Sequence, residues 1–95
     1  MRGAWTWQEK EKQQIIDRLK TPRMLGILTA LKGNESGLSN AEIDSILGTA
    51  SQWLIFWDLR ELMSLGIVEY KVELFGEPGK YHLTQLGLSV LQQIR

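Results

Sequence analysis

The spacing of the apolar residues changes at Gly66, and this change constrains the fold more than any other feature of the sequence. Before Gly66, residues 24–31 place apolar side chains at positions i, i+3, i+4 and i+7, the spacing of one buried helix face. After it, residues 68–74 alternate apolar and charged side chains, which is the pattern of a half-buried strand. Residues 76–79 have the glycines and proline of a turn, and residues 80–83 form a short return strand. The sequence therefore predicts helices followed by a β-hairpin.

Local capping signals set the boundaries of the predicted helices. Thr6 and Glu9 have the spacing of a capping box, as do Ser39 and Glu42, and Pro22 suits the first position of a helix. The predicted helices cover residues 7–20, 22–32, 40–47, 52–65 and 85–94. The predicted fold class is α+β, mostly α. We expect residues 1–21 to form an N-terminal helical segment and residues 22–95 to form one domain.

Several kinds of function are not expected from the composition. No run of about 18 apolar residues and no cleavable signal is visible, so we expect no membrane span and a cytoplasmic location. Cysteine is absent and His82 is the single histidine, so we expect no metal site and no cofactor. Neither a phosphate-binding loop nor a nucleophile with a positioned base occurs, so we do not expect an enzyme.

Three stretches of the chain resemble a known family when they are taken in order. Residues 40–47 and 52–65 form two helices around a short glycine-containing turn, which is the helix-turn-helix unit. Residues 38–43, the apolar pattern of residues 55–69 and the motif Tyr-x-Leu-Thr-x-x-Gly at residues 81–87 resemble winged helix-turn-helix transcription regulators of the MarR, ArsR and PadR type. The resemblance covers residues 22–94. It implies that helix 52–65 enters the DNA major groove, that hairpin 67–83 is a wing, and that two copies form a homodimer on a palindromic site.

The outward face of helix 52–65 departs from the family pattern. A helical wheel places Ile55, Phe56, Leu59, Leu62 and Met63 toward the core. The opposite side, where the family has Lys, Arg, Ser or His, carries Trp53, Trp57, Arg60, Glu61 and Ser64, and Asp58 lies beside the tryptophans. The candidate DNA-binding residues are Ser51, Gln52, Trp53, Trp57 and Arg60 from this helix, Lys71 and Lys80 from the wing, and Arg23.

The distribution of charge leaves DNA binding open to alternatives. Residues 1–34 have a net charge of +4, whereas residues 35–77, which include the reading helix, have a net charge of −6. In one interpretation Ser51, Gln52 and Arg60 make the polar contacts with DNA while a tryptophan packs on a thymine methyl group or a sugar. Trp53 and Trp57 could instead form a patch for another protein or a second copy, or they could cover the core beneath the first helix. The basic and acidic segments could also attract each other between two copies.

The leading hypothesis is a DNA-binding transcription regulator that acts by occupying its site as a homodimer on double-stranded DNA. The alternative is a winged-helix protein-interaction module that uses the Trp53 and Trp57 patch. We expect the first and last helices to build the homodimer. Tryptophans at a helix end that cannot be buried within their own chain suggest a dimer interface. The candidate dimer residues are Trp5, Trp7, Ile15, Leu19 and Leu91.

Overall fold

The computed structural model describes residues 9–48, 52–72, 76 and 78–94. Over these residues the chain forms helices and strands in the predicted order, which confirms the predicted fold class. The elements are α1 (Glu9–Leu19), α2 (Pro22–Lys32), α3 (Asn40–Leu47), α4 (Gln52–Ser64), β1 (Val68–Lys71), β2 (Lys80–Leu83) and α5 (Gln85–Ile94). The predicted cap at Thr6 lies outside the described residues. The predicted ends of α1 and α4 are each one residue too long.

The helix-turn-helix unit begins with the predicted caps. The Thr21 hydroxyl accepts a hydrogen bond from the Met24 backbone at 3.4 Å, and Pro22 follows at the first turn of α2. The Ser39 hydroxyl accepts from the Glu42 backbone at 3.2 Å, while the Ser39 backbone donates to the Glu42 carboxylate at 2.9 Å. This capping box satisfies two backbone N–H groups reciprocally and starts α3 where α4 can follow after a short turn.

One apolar core joins every helix to the base of the hairpin. Ile55, Leu59 and Leu62 are fully buried and form the inner face of α4, as predicted. Met63 is 39% exposed, which corrects its predicted place in the core. On the wheel it lies about 80° from the centre of the buried stripe, so its side chain reaches only the edge of the core. The rest of the core comes from Ile15, Leu19, Met24, Ile27, Leu28, Leu31, Leu38, Ile43, Ile67, Val68, Tyr81, Val90 and Leu91.

The β-hairpin is anchored at its base and exposed toward its turn. β1 and β2 pair antiparallel, with Val68 opposite Leu83 and Tyr70 opposite Tyr81. Only Val68 of β1 is buried, and Tyr70 is 46% exposed, so the predicted half-buried strand is confined to its first residue. The Tyr70 ring packs 4.8 Å from Tyr81, and its hydroxyl accepts a hydrogen bond from the Gly79 backbone at 3.1 Å. These contacts hold the hairpin together where the core no longer covers it.

α5 packs against the start of β1 through Thr84 and Gly87. The Thr84 backbone donates to the Ile67 carbonyl at 3.0 Å, and the Thr84 hydroxyl donates to the Gly66 carbonyl at 2.6 Å. The Gly87 backbone in turn donates to the Thr84 hydroxyl at 3.0 Å. A Cβ atom on Gly87 would lie 2.2 Å from the Ile67 carbonyl oxygen, so only glycine fits here. The threonine and glycine of the motif at residues 81–87 thus fix the wing to the last helix.

Candidate nucleic-acid interface

The outward side of α4 exposes two tryptophans. Trp53 is 68% exposed and Trp57 is 58% exposed. The interpretation that these rings cover the core is therefore wrong. The wheel places them about 160° from the centre of the buried stripe, so the core-facing residues of the same helix turn them toward solvent.

These tryptophans belong to a cluster that also contains Phe56 and Arg60, and we call this cluster the aromatic face. Phe56 is only partly buried, which corrects its predicted place in the core. The ring of Phe56 makes edge contacts with Trp53 at 5.8 Å and with Trp57 at 5.5 Å between centroids. The Arg60 guanidinium carbon lies 5.8 Å from the centroids of both Phe56 and Trp57. Such cation–π contacts restrict the arginine side chain while its N–H groups remain available at the surface.

Asp58 does not share the surface of the aromatic face. It is 8% exposed, and its carboxylate forms a two-pronged ion pair with Arg23 of α2. Arg23 Nε bonds one carboxylate oxygen and Nη2 lies 3.2 Å from the other. The hydrogen bond to Asp58 raises the pKa of Arg23, with burial opposing it and the charge of Asp58 adding to it. The assignment of Arg23 to a DNA contact stays a prediction, with part of its guanidinium engaged by a protein carboxylate and 40% of its side chain exposed.

The second acidic residue of α4 is also paired. Glu61 forms an ion pair with Arg18 of α1. Basic residues of the N-terminal third therefore neutralise acidic residues of the middle third within one chain. The charge asymmetry of the sequence is in this way partly resolved at the contacts of α4 with α1 and α2.

The lysines of the wing lie near carboxylates of their own. Lys71 and Lys80 face each other across the hairpin, and Lys71 lies 3.2 Å from Glu69. Lys80 is close enough to Glu42 to help lower the pKa of that carboxyl, after the larger effect of the hydrogen bond from the Ser39 backbone. Both lysines therefore remain candidates for backbone contacts, each with an acidic neighbour.

The aromatic face adjoins the hairpin. Burial raises the pKa of Tyr81 in β2, Tyr70 adds to the rise, and the positive charge of Arg60 partly offsets it. Arg60 therefore lies within electrostatic range of Tyr81, and α4 contacts the hairpin through β1. This juxtaposition could not be inferred from spacing along the chain.

The remaining predicted site residues fall into two groups. Gln52 is the first residue of α4, and Ser51, Trp5 and Trp7 lie outside the described residues. Ile15, Leu19 and Leu91 are 5%, 0% and 1% exposed. These three side chains are buried in the core of a single chain. Their prediction as dimer contacts is therefore corrected, and they are core residues.

No group of three or more histidine, cysteine or acidic side chains that could hold a metal ion occurs among the described residues. Over the same part of the chain, no helix combines the length and apolar character needed to span a membrane.

Comparisons with known proteins connect this geometry to solved structures. No protein-family model matches the chain, and a search of curated proteins found no match. Diamide-treated YodB from B. subtilis is similar with a TM-score of 0.75 and 21% identity, covering 95% of this chain and 90% of that one. Wild-type apo MarR from E. coli has a TM-score of 0.72 and 18% identity, covering 90% and 69%.

A third similar structure contains nucleic acid. The S. aureus MepR–DNA complex has a TM-score of 0.68 and 17% identity, covering 90% of this chain and 63% of that chain. A point mutant of MepR is covered over 66% of its length, so this chain spans just under two thirds of MepR. At these identities the similarity establishes the fold, and the chain has the winged helix-turn-helix fold of MarR-like transcription regulators.

Proposed function

We propose that this protein is a DNA-binding transcription regulator that places α4 in the major groove and uses hairpin 67–83 as a wing. The observation that carries the proposal is the outward side of α4. This side presents Arg60 beside exposed aromatic rings, while Asp58 and Glu61 of the same helix are ion-paired with basic residues of α1 and α2. A protein of the same fold, MepR, has been solved as a DNA complex.

Pairing of the α4 carboxylates removes the main physical objection to DNA binding. An unpaired carboxylate near the groove would repel the phosphates, which supply much of the affinity of proteins for DNA. Arg60 offers a planar fork of N–H donors for a base edge. Gln52, the first residue of α4, and Ser51, which precedes it in the sequence, are further candidates for base contacts, and Lys71 and Lys80 are candidates for backbone contacts.

We further propose that the protein acts in the cytoplasm as a homodimer that occupies its site. Buried Ile15, Leu19 and Leu91 do not supply the contacts. Residues 1–21, with Trp5 and Trp7, remain the candidate dimer segment, together with the exposed side of α5. Light scattering on the full chain tests this proposal, since a mass equal to one chain at micromolar concentration would contradict it.

Selection from a random duplex pool at low and moderate salt tests DNA binding. We expect the wild type to enrich a sequence and to lose affinity steeply as salt rises, because bound counterions are released on binding. Arg60→Ala should lose the enrichment. Arg60→Lys is the matched control, since it keeps the charge but not the two-pronged donor geometry, and it should retain non-specific binding. No retention of duplex at either salt would refute the proposal.

The exposed rings also favour a second candidate, a protein-interaction module. Leu54 and Met63, 46% and 39% exposed, extend the apolar surface of α4 beyond Trp53 and Trp57. Interfaces are enriched in tryptophan and arginine at their centres. Binding of a protein partner that is insensitive to salt and is abolished by Trp57→Ala, without any duplex retention, would favour this candidate over DNA binding.

A further inference from the structure

We infer that the aromatic face of α4 recognises the keto bases thymine and guanine in the major groove, with the thymine C5 methyl group as its main apolar contact. The inference rests on the proposed function and specifies the bases that this surface can read. It follows from the hydrogen-bonding character of the face, from its exposed apolar area and from the fixed position of Arg60.

The described polar groups of the aromatic face are donors. Arg60 has only N–H donors, and each tryptophan has one indole N–H and no acceptor. The nearby carboxylates, which are the acceptors on this helix, are engaged in ion pairs: Glu61 with Arg18 and Asp58 with Arg23. Between Trp53 and Arg60, the described side chains on this surface can therefore donate hydrogen bonds to a base edge but cannot accept them.

The bases differ in how well they suit such a surface. In the major groove guanine presents two acceptors, N7 and O6, and thymine presents the O4 acceptor and a methyl group. Adenine presents one acceptor and one amino donor, and cytosine presents only an amino donor. A surface of donors matches guanine and thymine, and it leaves the amino groups of adenine and cytosine without a partner, which is costly once water is excluded.

The apolar part of the face favours thymine in particular. The exposed sides of Trp53 and Trp57 are large apolar surfaces. The thymine C5 methyl is the apolar group that the major groove of unmodified DNA presents. Burying one methyl group against a tryptophan ring should strengthen binding about fourfold.

Arg60 is positioned for a guanine next to such a thymine. Its guanidinium lies against both Phe56 and Trp57, so fewer side-chain conformations remain to be lost on binding. A two-pronged contact with guanine O6 and N7 is the commonest specific contact of arginine with DNA. With Arg60 against Trp57, one base step containing a thymine and a guanine would engage both residues.

Base analogues in the enriched duplex test the inference. Replacing thymine by deoxyuracil removes only the C5 methyl and leaves every hydrogen-bonding group in place. We expect about a fourfold loss of affinity for each contacted methyl, and Trp57→Ala should bind the two duplexes equally. For guanine, 7-deazaguanine should weaken binding, whereas inosine, which keeps O6 and N7, is the matched control and should bind like guanine.

The outcomes separate this inference from the proposed function. Duplex binding by the wild type with equal affinity for thymine and deoxyuracil would overturn the inference and leave DNA binding intact. Enrichment of a site whose Arg60-dependent positions contain no G·C pair would also overturn it, because Arg60 would then have no guanine O6 and N7 to contact. Tighter binding to the single strand than to the duplex would overturn it as well, because the rings would then be stacking on unpaired bases.

Discussion

The contact between α5 and the wing predicts a large effect of Gly87→Ala. Gly87 is buried, and its added methyl carbon would lie 2.2 Å from the Ile67 carbonyl oxygen and 3.2 Å from the carbonyl carbon. Close-packed interiors do not accommodate such a contact, so the backbone would have to separate by about 1 Å. The same carbonyl oxygen accepts a hydrogen bond from the Thr84 backbone at 3.0 Å and lies 3.1 Å from the Thr84 hydroxyl, whose single proton it shares with the Gly66 carbonyl.

Three contributions determine how much Gly87→Ala changes the free energy of unfolding: overpacking, weakened hydrogen bonds and helix propensity. Overpacking of this kind costs about 1–3 kcal/mol, and weakening two hydrogen bonds adds about 1 kcal/mol each. The higher helix propensity of alanine returns about 1 kcal/mol. We therefore expect the free energy of unfolding to fall by about 2–4 kcal/mol, and the Tm to fall on the order of 10–30 °C for a domain of this size.

Urea and thermal unfolding followed by circular dichroism at the helical band would measure this loss. Gly33→Ala is the matched control, because its added methyl group would meet backbone oxygens at 3.7 and 3.8 Å, which is ordinary contact distance. We expect the control to match the wild type within about 0.5 kcal/mol. If Gly87→Ala unfolds at the same urea concentration as Gly33→Ala, the close approach of α5 to the wing does not determine the stability of this fold.

Three further predictions concern the supports of α4, α3 and the wing. Asp58→Ala should lower the unfolding free energy by about 1–3 kcal/mol, a range reduced from that of a buried pair because the Arg23 side chain is 40% exposed. Arg23→Met should cost at least as much, because it leaves the buried Asp58 carboxylate without its partner. Equal stability of Asp58→Ala and wild type would contradict this. Glu42 has a pKa below its ordinary value of 4.5 in the folded state, so its stabilising effect is present above that pH and is lost as the pH falls through the folded pKa. The urea midpoints of wild type and Glu42→Gln should therefore differ at pH 7 and converge in acid. A difference that grows in acid would show that folding does not lower the pKa of Glu42. Tyr70→Phe should cost about 1 kcal/mol in the same assay, and an unchanged midpoint would show that its hydrogen bond in the hairpin adds nothing.

The fold could be predicted from the sequence because its signals are local. Ser39 and Glu42 are three residues apart, so their capping box is visible in the sequence, and the change of period at Gly66 marks the start of the hairpin. The outward position of Trp53 and Trp57 also follows from helix geometry alone.

The parts of the site that could not be predicted depend on tertiary contacts. Arg23 and Asp58 are 35 residues apart, and their ion pair exists only because α2 packs beside α4. The spacing of apolar residues places Ile15 and Leu91 on the apolar faces of their helices. It does not show whether those faces pack against the core of the same chain or against a second copy. The exposed Tyr70 breaks the expected alternation, because the hairpin extends beyond the core that would have covered it.

Because of its ion pairs, the net charge around α4 depends on arginines of α1 and α2 as well as on the residues of α4 itself. Grafted alone onto another winged helix, it would bring Asp58 and Glu61 without the arginines that neutralise them, and would gain two negative charges beside the groove. The unit that must be transplanted to transfer its recognition properties is therefore α1, α2 and α4 together. On the proposed function, a change at Arg18 or Arg23, remote in sequence from α4, would alter DNA affinity without altering a single residue of that helix.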